Sequence, residues 1–338
     1  MTEAWAGAVT LVVSIDTEED NWIPSRAGLT ARNVLELPRL DALLHRLGGV
    51  RATYFTTYAV GRDAGAVAVL RALRESGRAE IGAHLHPWNT PPLVDQSSPR
   101  DTMLKNVAPA LQQAKVRTLT EMFEQAFGDR PRVFRAGRYG LGANTVPALV
   151  ASGYAVDSSV TPLINWQQYD DGPNYVGAPL GPYRLSATGG DLRTPDPNGP
   201  ILELPLSCSL SRGPLRTWSR VWESLNTPAA RRLRLQGLAA RLNVLRVVQL
   251  NPELATTAAM LAGTRRLLAE GLRYVHLTLH SPSLIPGLSP FVRTRTDCED
   301  LLAAVERYIE ELATHTSLRF ATVSEAASRS AELVASGD

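Results

Sequence analysis

The chain has 338 residues, 44% of them hydrophobic, and its 35 Lys+Arg against 33 Asp+Glu leave a formal charge of +2. That is enough apolar material for a substantial core, and a whole-chain charge so balanced argues against nucleic acid or an anionic membrane as the main partner and points to small molecules. Only Cys208 and Cys298 occur, with no Cys-x-x-Cys spacing, which fits a reducing compartment and leaves a single disulfide open.

In chain order, residues 1–8 lack a basic n-region and a long apolar h-region, and the apolar run 9–15 is too short to span a bilayer, so a cytoplasmic protein with no stable membrane insertion is expected. Apolar, β-branched runs predict strands at 11–15, 52–57, 79–83, 133–136, 155–158, 201–206, 274–279 and 318–323. Between them, apolar residues at helical spacing predict helices over 34–47, 67–76, 107–127, 144–152, 252–270 and 297–314. Gly48, Gly77, Gly128, Gly153 and Gly271 stand where helices commonly stop. Strand then helix, repeated seven or eight times, predicts an α/β architecture: one distorted (β/α) barrel over residues 1–338, with functional groups at the C-terminal strand ends.

Two stretches interrupt the alternation. Residues 161–200 hold seven prolines, among them Pro162, Pro173, Pro182 and Pro197, and predict a long ordered loop over the barrel mouth. Residues 214–250 are an Arg-rich helical insertion, with Arg231, Arg232, Arg234, Arg241 and Arg246 set among leucines. The plainer reading is a solvated helix packed on the barrel; the rival is a membrane-surface or anionic-substrate contact.

Chemistry-bearing residues fall at the ends of the predicted strands. Asp16-Thr17-Glu18 and His84-Leu85-His86 each pair two ligand-type groups at i, i+2, which in an extended segment places both on one face. Two imidazoles with a carboxylate and an open position make the ligand set of a hydrolytic zinc site. An acidic cluster alone is more often a solvated loop, whereas two histidines sharing a face at a strand end are seldom mere packing. Arg135, in Arg135-Ala136-Gly137-Arg138-Tyr139-Gly140, would orient a carboxylate through bidentate hydrogen bonds if buried, and belongs to a charged surface turn if not. His280, after Val275-His276-Leu277-Thr278-Leu279, is alone an even choice between a core histidine and a functional one.

In their order these residues resemble the polysaccharide deacetylases of the NodB-homology group, carbohydrate esterase family 4. The likeness runs from about residue 9 to 325 and is carried by the acidic motif after the first strand, Glu80-Ile81-Gly82-Ala83-His84, Phe134-Arg135 with Tyr139-Gly140, and Leu279-His280. The tokens His84-Leu85-His86-Pro87-Trp88 and Leu279-His280-Ser281-Pro282-Ser283 look most like the WalW-type subgroup. The resemblance implies Asp16 as general base, His280 as general acid, Arg135 as the group positioning Asp16, and His84 as first metal ligand. It further implies the Tyr139 N–H as an oxyanion donor and Asp157 as a residue tuning His280 or lining the cleft. Where the family carries a second aspartate and a second histidine, this chain has Thr17 and Trp88, so Glu18 and His86 are assigned as the other ligands, and Asp16 and Glu18 could exchange roles. Trp88, Arg138 and Tyr139, with Asp157, complete the expected substrate-binding set.

The activity so implied is hydrolysis of an N-acyl, most often N-acetyl, group on an amino sugar of a glycan or glycan precursor, with a divalent metal: zinc first, cobalt, nickel or iron as alternatives. A deformylase or cyclic amide or ureide hydrolase on the same fold, and a metal-free sugar-binding pseudoenzyme, are the competing expectations.

Overall fold

The computed structural model describes residues 5, 7–20, 29–94 and 98–336, the last six by backbone alone. Residues 1–4 and 6, part of the stretch read above for a leader, lie outside the described residues.

Strand β1 (Val9–Thr17) leads through α1 (Leu37–Arg46) to β2 (Ala52–Thr57), and short α2 (Tyr58–Gly61) with α3 (Ala64–Glu75) leads to β3 (Ala79–Leu85). Helix α4 (Pro109–Phe127), β4 (Val133–Ala136), α5 (Thr145–Ala151) and β5 (Val156–Asp157) follow. Beyond them come β6 (Tyr183–Leu185), β7 (Ile201–Glu203), β8 (Cys208–Leu210), helices α6 (Leu215–Ser224), α7 (Pro228–Arg232) and α8 (Leu235–Arg241), and β9 (Val247–Gln249). The chain ends with α9 (Thr257–Ala269), β10 (Tyr274–His280), α10 (Arg295–His315), β11 (Leu318–Ala321) and α11 (Val323–Ser336).

Each of the eight predicted strands is present. Among the described residues these eight and β6 form a nine-stranded sheet in the order β10-β1-β2-β3-β4-β5-β7-β6, with β11 beside the first half of β1. All pairs in it are parallel except β6 on β7, while β8 and β9 pair antiparallel apart from it, so the architecture is the expected α/β one, a curled parallel sheet flanked by helices. The sheet does not close by strand pairing. Between β7 and β10 the gap is bridged by chain outside the sheet: Leu250 N–H donates to Ser207 O, and Thr278 N–H to Leu250 O, each at 3.0 Å. Strands β6, β8 and β9 were not anticipated; at three residues each they are too short for alternation to stand out, and β9 lies at the end of the stretch expected to be wholly helical.

Parity along the strands sorts side chains into two environments. Leu11, Val13 and Ile15 of β1, with Val275, Leu277 and Leu279 of β10, face the helices and join the main core. The opposite face turns into the barrel. Its floor is a second apolar cluster of Val12, Phe55, Val133, Val156, Leu202 and Tyr274, closed from below by Val323, Ala326 and Ala327 of α11. Above the floor lies a buried polar layer of Ser14, Arg135, His276 and Thr278. Asp16, Glu18, His84, His86 and His280 sit one step higher, at the strand ends. Both cysteines are free and buried, so the open disulfide does not form. Among the described residues no helix is long and apolar enough to cross a membrane.

Candidate active site

Asp16 and His280 end neighbouring strands in register, as direct partners across the β1–β10 pair. His280 Nε2 stands 3.7 Å from Asp16 Oδ2. Asp16 Oδ1 accepts from Arg135 Nη1, and the guanidinium is fully buried. Arg135 also donates through Nε to Ser158 O at 2.8 Å and through Nη2 to Ser14 Oγ at 2.9 Å, while its Cζ lies 4.1 Å from the centroid of Phe55. The fork is therefore fixed from below by the apolar floor and aimed upward at Asp16, the arrangement for which Arg is not replaceable by Lys. Beneath it, burial and the Arg135 charge hold His276 well below the ordinary imidazole range, so it is a neutral core histidine bridging Tyr274 and Ser14 at 2.7 Å each.

Glu18, His84 and His86 offer ligand atoms within 4.8 Å of one another, and so do Asp16, Glu18 and His280, which makes Glu18 the hinge between two triads. Glu18 Oε1 is 3.0 Å from His84 Nε2 and 3.2 Å from His86 Nε2. His84 Nδ1 lies 3.0 Å from the carbonyl oxygen of Arg135, which can only accept, so the proton is on Nδ1 and the Nε2 lone pair faces Glu18. His86 Nδ1 lies 3.1 Å from Glu19 Oε1. Two imidazole lone pairs and a carboxylate oxygen thus converge on one point, and such a set needs a positive centre. In the protein alone a proton supplies it: burial pulls His86 down, but Glu19 and Glu18 outweigh it and push the ring up to about 10. Burial likewise raises Glu18, yet the facing histidines bring it well below the usual carboxylate range. The donor types, the inward lone pairs and outer partners that fix each tautomer suit a divalent metal of the zinc class.

Glycine makes this approach possible at one point. A Cβ on Gly137 would lie 2.3 Å from His86 Cδ2 and 2.9 Å from Leu85 O, so only glycine lets the ring sit flat against the next strand end.

Two acids missed in the sequence complete the arrangement. Glu19 is buried and binds His86 Nδ1, Asn89 Nδ2 at 2.8 Å, Trp88 Nε1 at 3.3 Å and Thr57 Oγ1 at 3.1 Å. Glu253, just past β9, receives His280 Nδ1 at 2.6 Å and the His280 backbone N–H at 3.2 Å, and also accepts from Ser283 Oγ. Burial lowers the His280 pKa, but Glu253 first, then Glu18 and Asp16, push it up to about 9. The usable signal was an acid shortly after an apolar run, Val247-Val248-Gln249-Leu250-Asn251-Pro252-Glu253, the same pattern that singled out Asp16.

Of the expected substrate contacts, Asp157 is not brought to this cluster, and the expectation that it tunes His280 is corrected. Register pairs Asp157 with Phe134 rather than with Arg135, so its side chain leaves the sheet on the outer face. There it accepts from Ser159 N–H at 2.9 Å and faces Glu203, whose carboxyl burial and the Asp157 charge push well above the usual carboxylate range. Trp88 is a buried wall, 8% exposed, stacked on His86 at 4.1 Å between centroids. Arg138 is held by Asp170 at 2.8 Å and by Thr102. Tyr139 stacks on Trp166 at 5.4 Å, and its carbonyl accepts from Tyr175 at 2.7 Å. Burial and then the Asp16 charge raise the Tyr139 phenol well above its ordinary range.

No protein-family model matches the sequence, and no curated protein sequence matches it. Solved structures do. A protein described as a polysaccharide deacetylase from Mycobacterium smegmatis matches 99% of this chain and 96% of its own at 17% identity, with a TM-score of 0.54. One described as a glycoside hydrolase/deacetylase from Parabacteroides distasonis matches 96% of this chain and 71% of its own at 14% identity, also with a TM-score of 0.54. A carbohydrate esterase family 4 pseudoenzyme from Bacillus anthracis matches 94% of this chain and 65% of its own at 10% identity and a TM-score of 0.43, too loose to argue from. The fold of this chain is thus the one seen in the polysaccharide deacetylase and glycoside hydrolase/deacetylase structures.

Proposed function

We propose that the protein is a metal-dependent N-deacylase acting on an acylated amino sugar of a glycan or glycan precursor, within the subgroup that its His84-Leu85-His86-Pro87-Trp88 token resembles. The observation that carries this reading is the convergence of His84 Nε2 and His86 Nε2 on Glu18 Oε1, beside an Asp16–His280 pair held from opposite sides by Arg135 and Glu253. Glu18, His84 and His86 are the ligands in this proposal, with zinc the first choice and cobalt, nickel or iron compatible with the same donors. When bound, the cation supplies Lewis acidity for hydrolysis.

The protein's own groups move the protons. Asp16, fixed by the Arg135 fork, takes a proton from the attacking water as its oxygen adds to the acyl carbon. His280, held cationic by Glu253, gives its proton to the departing nitrogen. Water and amide thereby become carboxylic acid and amine, with one proton taken at Asp16 and one delivered at His280. The Tyr139 N–H is the proposed donor to the developing oxyanion, and Tyr139, Trp166 and Arg138 at the mouth are the proposed sugar contacts.

The test is metal content after reconstitution together with acetate release from N-acetylhexosamine conjugates. His84→Ala is expected to lose metal and activity, and Asp16→Asn to lose activity while keeping metal. If Glu18→Gln keeps metal and Asp16→Asn loses it, the two acids have exchanged roles. Full activity in both His84→Ala and Asp16→Asn overturns the proposal. Formate release or ring opening without acetate release would move the assignment to another C–N hydrolase, and retained glycan binding with no metal to a binding protein.

A further inference from the structure

The net charge of +2 conceals a strongly polarised surface. Residues 212–246 contain eight arginines and a single acid, Glu223, a local charge of +7 that leaves −5 for the rest of the chain. All eight arginines are exposed, and among the described residues none forms an ion pair with a carboxylate. Set between them are exposed aliphatic side chains: Val221, Leu233 at 69%, Leu238, Leu242 at 64% and Val244. Helix α8 has no buried residue at all, although it holds Leu235 and Leu238. A helix whose side chains are at most half-buried, Ala239 alone of them packed on the core, gains little from the fold by being there.

This patch adjoins the mouth of the candidate site. Trp222 Nε1 donates to Leu163 O at 2.7 Å, Arg231 Nη1 to Gln167 Oε1 at 3.1 Å, and Asn165 Nδ2 to Asn226 Oδ1 at 2.7 Å. The loop so gripped carries Trp166, which stacks on Tyr139, and Asp170, which holds Arg138. We infer that the α6–α8 insertion is a docking surface for an anionic phospholipid bilayer, one that sets the mouth of the barrel beside the headgroup layer. Arginines would meet the headgroups, and Leu233, Leu238 and Leu242 would enter the acyl boundary. A nucleic acid would satisfy the arginines but offers the exposed leucines no apolar phase, which is why the bilayer is the better match. The inference concerns binding only and stands apart from the reaction proposed above.

The experiment is co-sedimentation of the full chain with phosphatidylcholine vesicles, with and without 30% phosphatidylglycerol, at low and physiological salt. Binding is expected to the anionic vesicles only, falling severalfold with salt but persisting through the apolar contacts. Arg232→Glu/Arg241→Glu is expected to weaken it at least tenfold. Leu238→Ser/Leu242→Ser should abolish the salt-resistant part, with circular dichroism and melting temperature unchanged in both. No binding to anionic vesicles, or equal binding to neutral ones, overturns the inference. So does binding to a duplex oligonucleotide as tight as to vesicles that the serine variant leaves intact, since that is a polyanion surface.

Discussion

Replacing Glu253 by Gln removes one negative charge from the far side of His280 with almost no change in shape, and so isolates what that carboxylate does. Two unit charges about 4 Å apart at an effective dielectric near 20 interact by about 4 kcal/mol, or about 3 pKa units at 1.36 kcal/mol each. Burial opposes this charge, and Asp16 and Glu18 keep contributing after the substitution, so the His280 pKa should fall from about 9 by about 2 units, toward the ordinary 6.5. That corresponds to about 3 kcal/mol in favour of the cation. Nitrogen-resolved NMR of metal-free protein, with His280→Asn identifying the resonance among the six histidines, reads the shift directly. A cation at Glu18 lowers the value in both proteins, so in the loaded enzyme the alkaline limb of the pH–rate profile should move down in the variant by a similar amount. Stability follows the same linkage. Because the folded pKa is raised, the Glu253 contribution is fully present below about pH 6.5 and lost as pH rises through about 9, so the melting-temperature gap between wild type and Glu253→Gln should be widest in acid and close in alkali. A His280 titration within half a unit of wild type in the variant would refute the reasoning.

Glu19→Gln should weaken metal binding about 10–100-fold without abolishing it, because the His86 Nδ1–H keeps an acceptor but loses its anionic partner; isothermal titration checks this. Gly137→Ala should weaken metal binding at least tenfold without replacing any ligand, since its Cβ would displace the His86 ring, and unchanged affinity would contradict the 2.3 Å contact. Arg135→Met leaves Asp16 buried without its guanidinium partner and with only His280, 3.7 Å away, as a facing cation, and a loss of about 3–5 kcal/mol is expected in denaturant unfolding. Glu203→Gln keeps a donor toward Asp157 and should cost under about 1 kcal/mol, whereas Asp157→Leu strands the Ser159 N–H and hydroxyl and should cost about 1–3 kcal/mol or more.

The parallel sheet was legible because its strands are buried on both faces and read as unbroken apolar runs, which is how Leu11-Val12-Val13 and Leu277-Thr278-Leu279 announced themselves. Period-two spacing also brought His84 and His86 to one side correctly. It says nothing reliable once the strand ends: β1 stops at Thr17, so Glu18 and Glu19, which alternation would send to opposite faces, both turn toward the histidines. Asp157 shows the converse. Its place at a strand end was read correctly, but the face depends on register with β4, a pairing the local sequence does not encode. Glu253 was hidden for a third reason. It lies 27 residues before His280, with α9 between them, and reaches it only because Leu250 O accepts from Thr278 N–H and sets the two chain segments side by side. A resemblance to a family supplies such long-range partners only where the chain keeps the family's spacing. Here the group that charges His280 comes from the segment just past short strand β9, so Glu253→Gln tests a feature of this chain that neither periodicity nor family likeness contained.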